Sequence, residues 1–250
     1  MSTILSRAAV FATVCAAVAS FAAAPALAQE PDNQAPDLSR LGRLVDKTVE
    51  EQLDGGEVPG AAVSIVAGGE EVYSRGYGLA DVEAKTPVDA RTTGFFTSSM
   101  AKLFTAAAVL QLERQDKLDL DADVNEYLGT FRIADTYPGK PMTLRHLLTH
   151  TSGFDPDYGM VDTSTNSAAQ LPSLGDSLAA KQPPREEPPG TVLAYDNYGV
   201  ALAGYIVERV SGVDYAKYVN EHVYDALGMT GSTASQPRPS NIDKRLATGY

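Results

Sequence analysis

Apolar residues at Leu38, Leu41, Val45, Val49 and Leu53 recur three and four positions apart, which is the period of one helical face. Asp37 stands where an N-cap belongs and Gly55-Gly56 where a helix stops, so an amphipathic helix is predicted between them. Ala61 to Ala67 is a short apolar run with β-branched residues and predicts a buried strand. Gly68-Gly69 is a hairpin turn signal, Glu70 to Tyr77 the returning strand, and Gly76-Tyr77-Gly78 a turn at its end. From Ser99 to Gln115 the chain is apolar nearly all round, which predicts a helix buried in the middle of the molecule. Asp121 to Leu128 and Thr143 to Leu148 read as short helices, and residues 151–190 as loop. Asn197 to Ser211 and Asp214 to Leu227 predict two amphipathic helices, closed by Gly212 and Gly228. A lone hairpin is not stable, and no further convincing strand precedes Tyr250, so the sheet reads as unfinished.

Composition fits this mixed pattern. With 250 residues and 44% apolar content, the chain can bury one core, or two lobes sharing a cleft. The N-terminus reads as a targeting segment: Arg7, an alanine-rich apolar run from Ala8 to Ala24, then Ala26-Leu27-Ala28 as a small-x-small cleavage pattern. Residues 1–28 are therefore expected to be a signal peptide, residues 29–36 a polar linker, and residues 37–250 the functional domain. The apolar run is short for a membrane anchor, and no stable membrane insertion is expected in residues 29–250. Export would place the protein in the periplasm, at the cell wall or outside the cell. The one cysteine, Cys15, lies in the leader, so disulfides and thiol chemistry are not expected of the mature chain. Removing the leader takes the formal charge from −12 to −13, which argues against nucleic acid and anionic membrane surfaces as partners.

Chemistry enters with Ser99-Met100-Ala101-Lys102. A serine hydroxyl is a weak nucleophile without a base in hydrogen-bond reach, and i, i+3 spacing on a helix supplies that reach. Ser99 at the helix start, after the cap signals Thr97-Ser98, would aim its own N–H and the positive end of the dipole at a developing oxyanion. Met100, Leu103 and Phe104 predict an apolar surround for Lys102, which would favour a neutral amine able to take a proton. On spacing alone the pair reads equally as a capping serine with a snorkelling lysine. Tyr195-Asp196-Asn197, before a helix, offers a phenol for proton relay and an amide able to bond both a lysine and a carbonyl. Tyr218-Val219-Asn220 and Ser164-Thr165-Asn166 are competing placements of the same roles. His146 and His150 are spaced i, i+4, but no third metal ligand accompanies them; Thr149-His150-Thr151-Ser152-Gly153 reads as a hydrogen-bonded turn ending a helix.

Together these residues resemble the class C β-lactamase-like family, which includes D-Ala-D-Ala carboxypeptidases, D-amino-acid peptidases and related esterases. The likeness runs from about Pro59 to Tyr250. Its landmarks are Pro59-Gly60-Ala61, Gly76 to Asp81, Ser99 to Lys102, Leu118 to Asp121, Arg145 to Gly153, Pro189-Gly190, Tyr195 to Gly199 and Leu227-Gly228-Met229. The resemblance implies an α/β (α+β) fold, with an antiparallel sheet flanked by helices, an all-helical lobe, and an active site between them. It implies that Ser99 forms an acyl-enzyme, that Lys102 and Tyr195 share the proton work, and that Asn197 orients Lys102 and the substrate amide. No cofactor or metal is implied. The partner is a small-molecule, peptide or ester substrate, with cell-wall peptide and β-lactams among the choices; a non-catalytic penicillin-binding-like sensor is the alternative. Two departures stand out. Asp196 replaces the commoner Ser or Ala and is expected to push Tyr195 upward. The family's Lys- or His-x-Gly triplet is absent, so the domain reads as incomplete at its C-terminus, with strands missing, and the 250 residues alone are expected to fold poorly or be inactive.

Overall fold

The computed structural model describes residues 38–56, 58–156 and 172–250. The leader, the linker, Asp37 and Ser164-Thr165-Asn166 lie outside the described residues. The chain divides into two units, Met1–Val45 and Asp46–Tyr250. Of the first, the described part is the opening of helix α1 (Leu38–Asp54), where Leu41 and Val45 are half-buried and Leu44 is exposed. The second unit begins within α1, whose Val49 and Leu53 continue the predicted stripe.

In the second unit, β1 (Gly60–Ala67), β2 (Glu70–Asp81) and β3 (Thr86–Pro87) form an antiparallel sheet in the order β1-β2-β3. Gly68 and Gly69 both take positive φ, 61° and 86°, as the tight turn between β1 and β2 requires. Two expectations are corrected here. No residue of β1 is buried, and its side chains alternate between half-buried and exposed, because among the described residues it is an edge strand with one face unpacked. β2 does not end at Gly76-Tyr77-Gly78 but runs on to Asp81. The two glycines serve close approach: a Cβ at Gly76 would overlap the Val88 carbonyl, and one at Gly78 the Pro59 carbonyl. β3 escaped prediction because it is two residues long and contains a proline.

The rest of the second unit is helical. A single 3₁₀ turn (Ser98–Met100) leads into α2 (Ala101–Glu113), followed by α3 (Asn125–Leu128) and α4 (Leu144–Leu148). Then come α5 (Leu174–Ala180), α6 (Asn197–Ser211), α7 (Tyr215–Val219), a π-helical turn (Asn220–Tyr224) and α8 (Ser240–Asp243). The core gathers around α6. Leu202, Ala203, Ile206 and Val207 are fully buried there and share one cluster with Ala108, Val109 and Leu112 of α2 and Leu144 and Leu147 of α4. Each fully buried Leu, Ile or Val contributes roughly 1.5–3 kcal/mol. Thus α6, rather than α2, is the central helix. α2 buries only one stripe, Thr105, Ala108, Val109 and Leu112 at i, i+3, i+4, i+7, while Leu103 and Leu110 are exposed. An apolar sequence does not by itself decide which faces find a partner. No helix among the described residues is long and apolar enough to cross a membrane.

Candidate active site

Ser99 sits in the 3₁₀ turn that opens α2, with Lys102 one turn further on. The Lys102 ammonium donates to Ser99 Oγ at 3.2 Å, as i, i+3 spacing predicts. The expected cap is different in detail. Thr97 makes no side-chain cap bond; instead its carbonyl accepts from Met100 N–H at 3.0 Å. Ser98, directly before the candidate nucleophile, has φ of 49°, a left-handed conformation that a non-glycine residue holds at some cost. The apolar surround expected for Lys102 is not formed by Met100 and Leu103, which are 65% and 67% exposed. Successive helical residues point about 100° apart, so neither shares the Ser99–Lys102 face.

Tyr195 closes the group from the opposite segment. Its Oη lies 2.6 Å from Ser99 Oγ, and Lys102 Nζ stands 5.0 Å from its ring centroid. Lys102, and after it the Ser99 hydroxyl, lower the Tyr195 pKa below the ordinary phenol value by favouring the phenolate. This reverses the upward push expected from Asp196. That carboxylate is turned away and buried: Oδ1 accepts from Gly199 N–H at 2.9 Å, capping α6, and Oδ2 accepts from the Ser152 hydroxyl at 2.7 Å.

Asn197 is the first residue of α6 and lines, with Lys102, a cavity of about 240 Å³ that also touches Thr105, Val200, Gly204 and Tyr215. Its side chain makes no hydrogen bond among the described residues. The competing triplet is structural: Tyr218 is buried, and the Asn220 side chain bonds Ser235 Oγ and Ala234 N–H at 2.8 Å. The two histidines are engaged separately. His146 Nδ1 belongs to a capping box with Thr143, and burial lowers its pKa. His150 Nδ1 accepts from Asp196 N–H at 3.1 Å, and its ring packs on Tyr195. Sequence reasoning placed the 149–153 turn but missed that His150 and Ser152 reach the Tyr195 segment. Their partners are 46 and 44 residues away, and the one local signal was Asp196 in N-cap position.

Geometrically, the group holds a hydroxyl between an ammonium donor and a phenol oxygen able to take its proton. That arrangement suits nucleophilic attack on an acyl carbon.

Comparison with known proteins gives a match to the Beta-lactamase family over residues 45–250. Among curated proteins, "Protein flp" of Staphylococcus aureus strain N315 is 31% identical over 211 residues, covering 82% of this chain and 40% of that protein. A "Putative D-alanyl-D-alanine carboxypeptidase" of Escherichia coli O157:H7 is 30% identical, covering 80% of this chain and 48% of that protein. Among solved structures, the octameric penicillin-binding protein homologue from Pyrococcus abyssi aligns with a TM-score of 0.70 and 31% identity, covering 84% of this chain and 48% of that one. The chain thus spans less than half the length of each of these three proteins.

Proposed function

Since the chain belongs to the Beta-lactamase family, we propose that it is an exported serine hydrolase that works through an acyl-enzyme on Ser99. The observation that carries this reading is the Ser99 hydroxyl set 2.6 Å from the Tyr195 phenol and 3.2 Å from the Lys102 ammonium. Ser99 Oγ attacks the substrate's acyl carbon and gives its proton to Tyr195, whose pKa is already lowered by Lys102. Lys102 stabilises the phenolate and orients Oγ. The Ser99 N–H, among the free donors of a helix start, faces the developing oxyanion. As the acyl carbon–leaving group bond breaks, Tyr195 returns the proton to the departing nitrogen or oxygen. In the second half a water gives its proton to Tyr195 and its oxygen to the acyl carbon, and Ser99 leaves with the proton back on Oγ. Asn197, on the rim beside Lys102, is the amide available to the substrate carbonyl.

The substrates are D-amino-acid peptides, β-lactams or esters. The name of the E. coli relative supports a D-alanyl peptide, and the leader-like segment with Ala26-Leu27-Ala28 supports access to the cell wall. The test offers the full-length protein a D-Ala-D-Ala peptide, penicillin G and p-nitrophenyl acetate in parallel, with Ser99→Ala as control. Turnover or a lasting adduct with at least one of them, lost in Ser99→Ala, is expected. A chain inert to all three, or a Ser99→Ala variant as active as wild type, would leave a binding module rather than a hydrolase.

A further inference from the structure

We propose that His150 is the positioning residue that holds the Tyr195 phenol on the Ser99 hydroxyl, an inference that rests on the reading of Ser99 and Tyr195 as the reacting pair. Tyr195 is 48% exposed, so packing does little to fix it. Its backbone is instead tethered on both sides to one residue. Ala194 N–H donates to the His150 carbonyl at 2.9 Å, and Asp196 N–H donates to His150 Nδ1 at 3.1 Å. Between the tethers, the imidazole lies against the phenol with ring centroids 4.6 Å apart and planes tilted 35°. Three contacts from His150 thus set the height, the direction and the ring plane of Tyr195. Ser99 and Lys102 meet the phenol at its other end.

The chemistry asks for a specific atom at position 150. The tether needs an acceptor, and Nδ1 supplies it to the Asp196 amide. The acceptor must stand one atom beyond Cγ, where Asn places Oδ1. The backbone adds a second demand: His150 has φ of 55°, a region that Asn and Gly enter at low cost. That left-handed residue turns the chain so that Ser152 follows on the same side and donates to Asp196 Oδ2 at 2.7 Å. Asp196 is therefore held at its amide by His150 and at its carboxylate by Ser152. A shift of about 1 Å at Tyr195 would carry its oxygen beyond hydrogen-bond reach of Ser99, and misplacement of that size costs about 10²-fold in rate.

Two variants separate the ring from the backbone. His150→Gly keeps the carbonyl tether and the left-handed φ but removes the ring. His150→Asn keeps both and restores an acceptor. Each is made in the full-length protein beside wild type and Tyr195→Phe. The readouts are the acylation rate with p-nitrophenyl acetate and the ionisation of Tyr195, taken as the ultraviolet difference from Tyr195→Phe. The proposal expects His150→Gly to acylate about 10²-fold more slowly and to ionise Tyr195 at higher pH than wild type. His150→Asn should stay within about 3-fold of wild type and keep the Tyr195 titration in place. It is overturned by His150→Gly matching wild type in both readouts, or by His150→Asn behaving like His150→Gly. A wild type that is not acylated at all would sink the hydrolase reading. The Tyr195 titration would still decide the role of His150, since it moves in His150→Gly only where the ring holds the phenol.

Discussion

In the proposed mechanism one phenol carries the proton traffic, and its environment makes a pH prediction. Lys102 and Ser99 lower the Tyr195 pKa from the ordinary value of 10.0. With Tyr195 as the base the phenolate would be the active form, so kcat/KM should rise with pH through an apparent pKa below 10.0 and level off above it. Tyr195→Phe should lose that rising limb and about 10²–10⁴-fold in rate. A pH–rate profile of both proteins checks this; the same limb surviving in Tyr195→Phe would assign it to another group. At this scale the sequence was partly legible. Ser99 and Lys102 declare their contact through i, i+3 spacing. Tyr195 meets Ser99 across 96 residues, a separation with no local signature, so its position before a helix made it one of three candidates and the family resemblance singled it out. Asp196 was misread as a perturbing charge because its capping role depends on which way its carboxylate turns.

Among elements, two joints are open to test. α1 is fastened to β2 by the Asp46 carboxylate, which accepts from Tyr73 Oη at 2.5 Å, Tyr77 Oη at 2.7 Å and Arg75 Nη1 at 2.6 Å. The two tyrosine oxygens also stand against each other beside that carboxylate. Tyr73, then Tyr77 and Arg75, lower the Asp46 pKa, while burial raises that of Tyr77. A carboxyl whose folded pKa is depressed stabilises the fold above its unfolded value near 3.8, and that contribution fades as pH falls through the lower folded value. Asp46→Asn should therefore melt below wild type at neutral pH, with the gap closing below pH 3.8. Thermal unfolding across pH checks this, and a gap constant with pH would contradict it. The second joint is the 150–153 turn. Gly153 has φ of 78°, and its carbonyl accepts from Glu186 N–H at 2.9 Å and Glu187 N–H at 3.3 Å. A Cβ there would overlap the Glu187 carbonyl. Gly153→Ala should cost the roughly 1–2 kcal/mol of a left-handed non-glycine residue and more from the overlap, seen as a lowered melting temperature. An unchanged melting temperature would show that the turn gives way freely. Strong end signals made some elements legible: α6 has its predicted bounds, Asn197–Ser211, because Asp196 caps it and Gly212 at φ of 71° stops it. α5 falls in the stretch that the sequence presents as loop, although Ser173 and Asp176 form a capping pair at its start. Seven residues were too few to show a period.

At the scale of the second unit, residues 46–250, a helical core around α6 fixes the segments that carry the candidate site. The 3₁₀ turn and α2 bring Ser99 and Lys102; the segment entering α6 brings Tyr195 and Asn197, braced by the 150–153 turn. Helix packing between α2 and α6 thus sets how far Ser99 stands from Tyr195. The order helix, strand, strand, helices was legible from periodicity and glycines. The burial of α2 and β1 was not, because apolar content does not reveal which face acquires a neighbour. The proposed mechanism stands on acylation of Ser99. Its most direct measurement treats full-length wild type and Ser99→Ala with p-nitrophenyl acetate and penicillin G, quenches in acid and maps the added mass to a peptide. The acyl group is expected on the peptide containing Ser99 and absent from Ser99→Ala. Acylation elsewhere with Ser99 unmodified, or an equal adduct in Ser99→Ala, would contradict it.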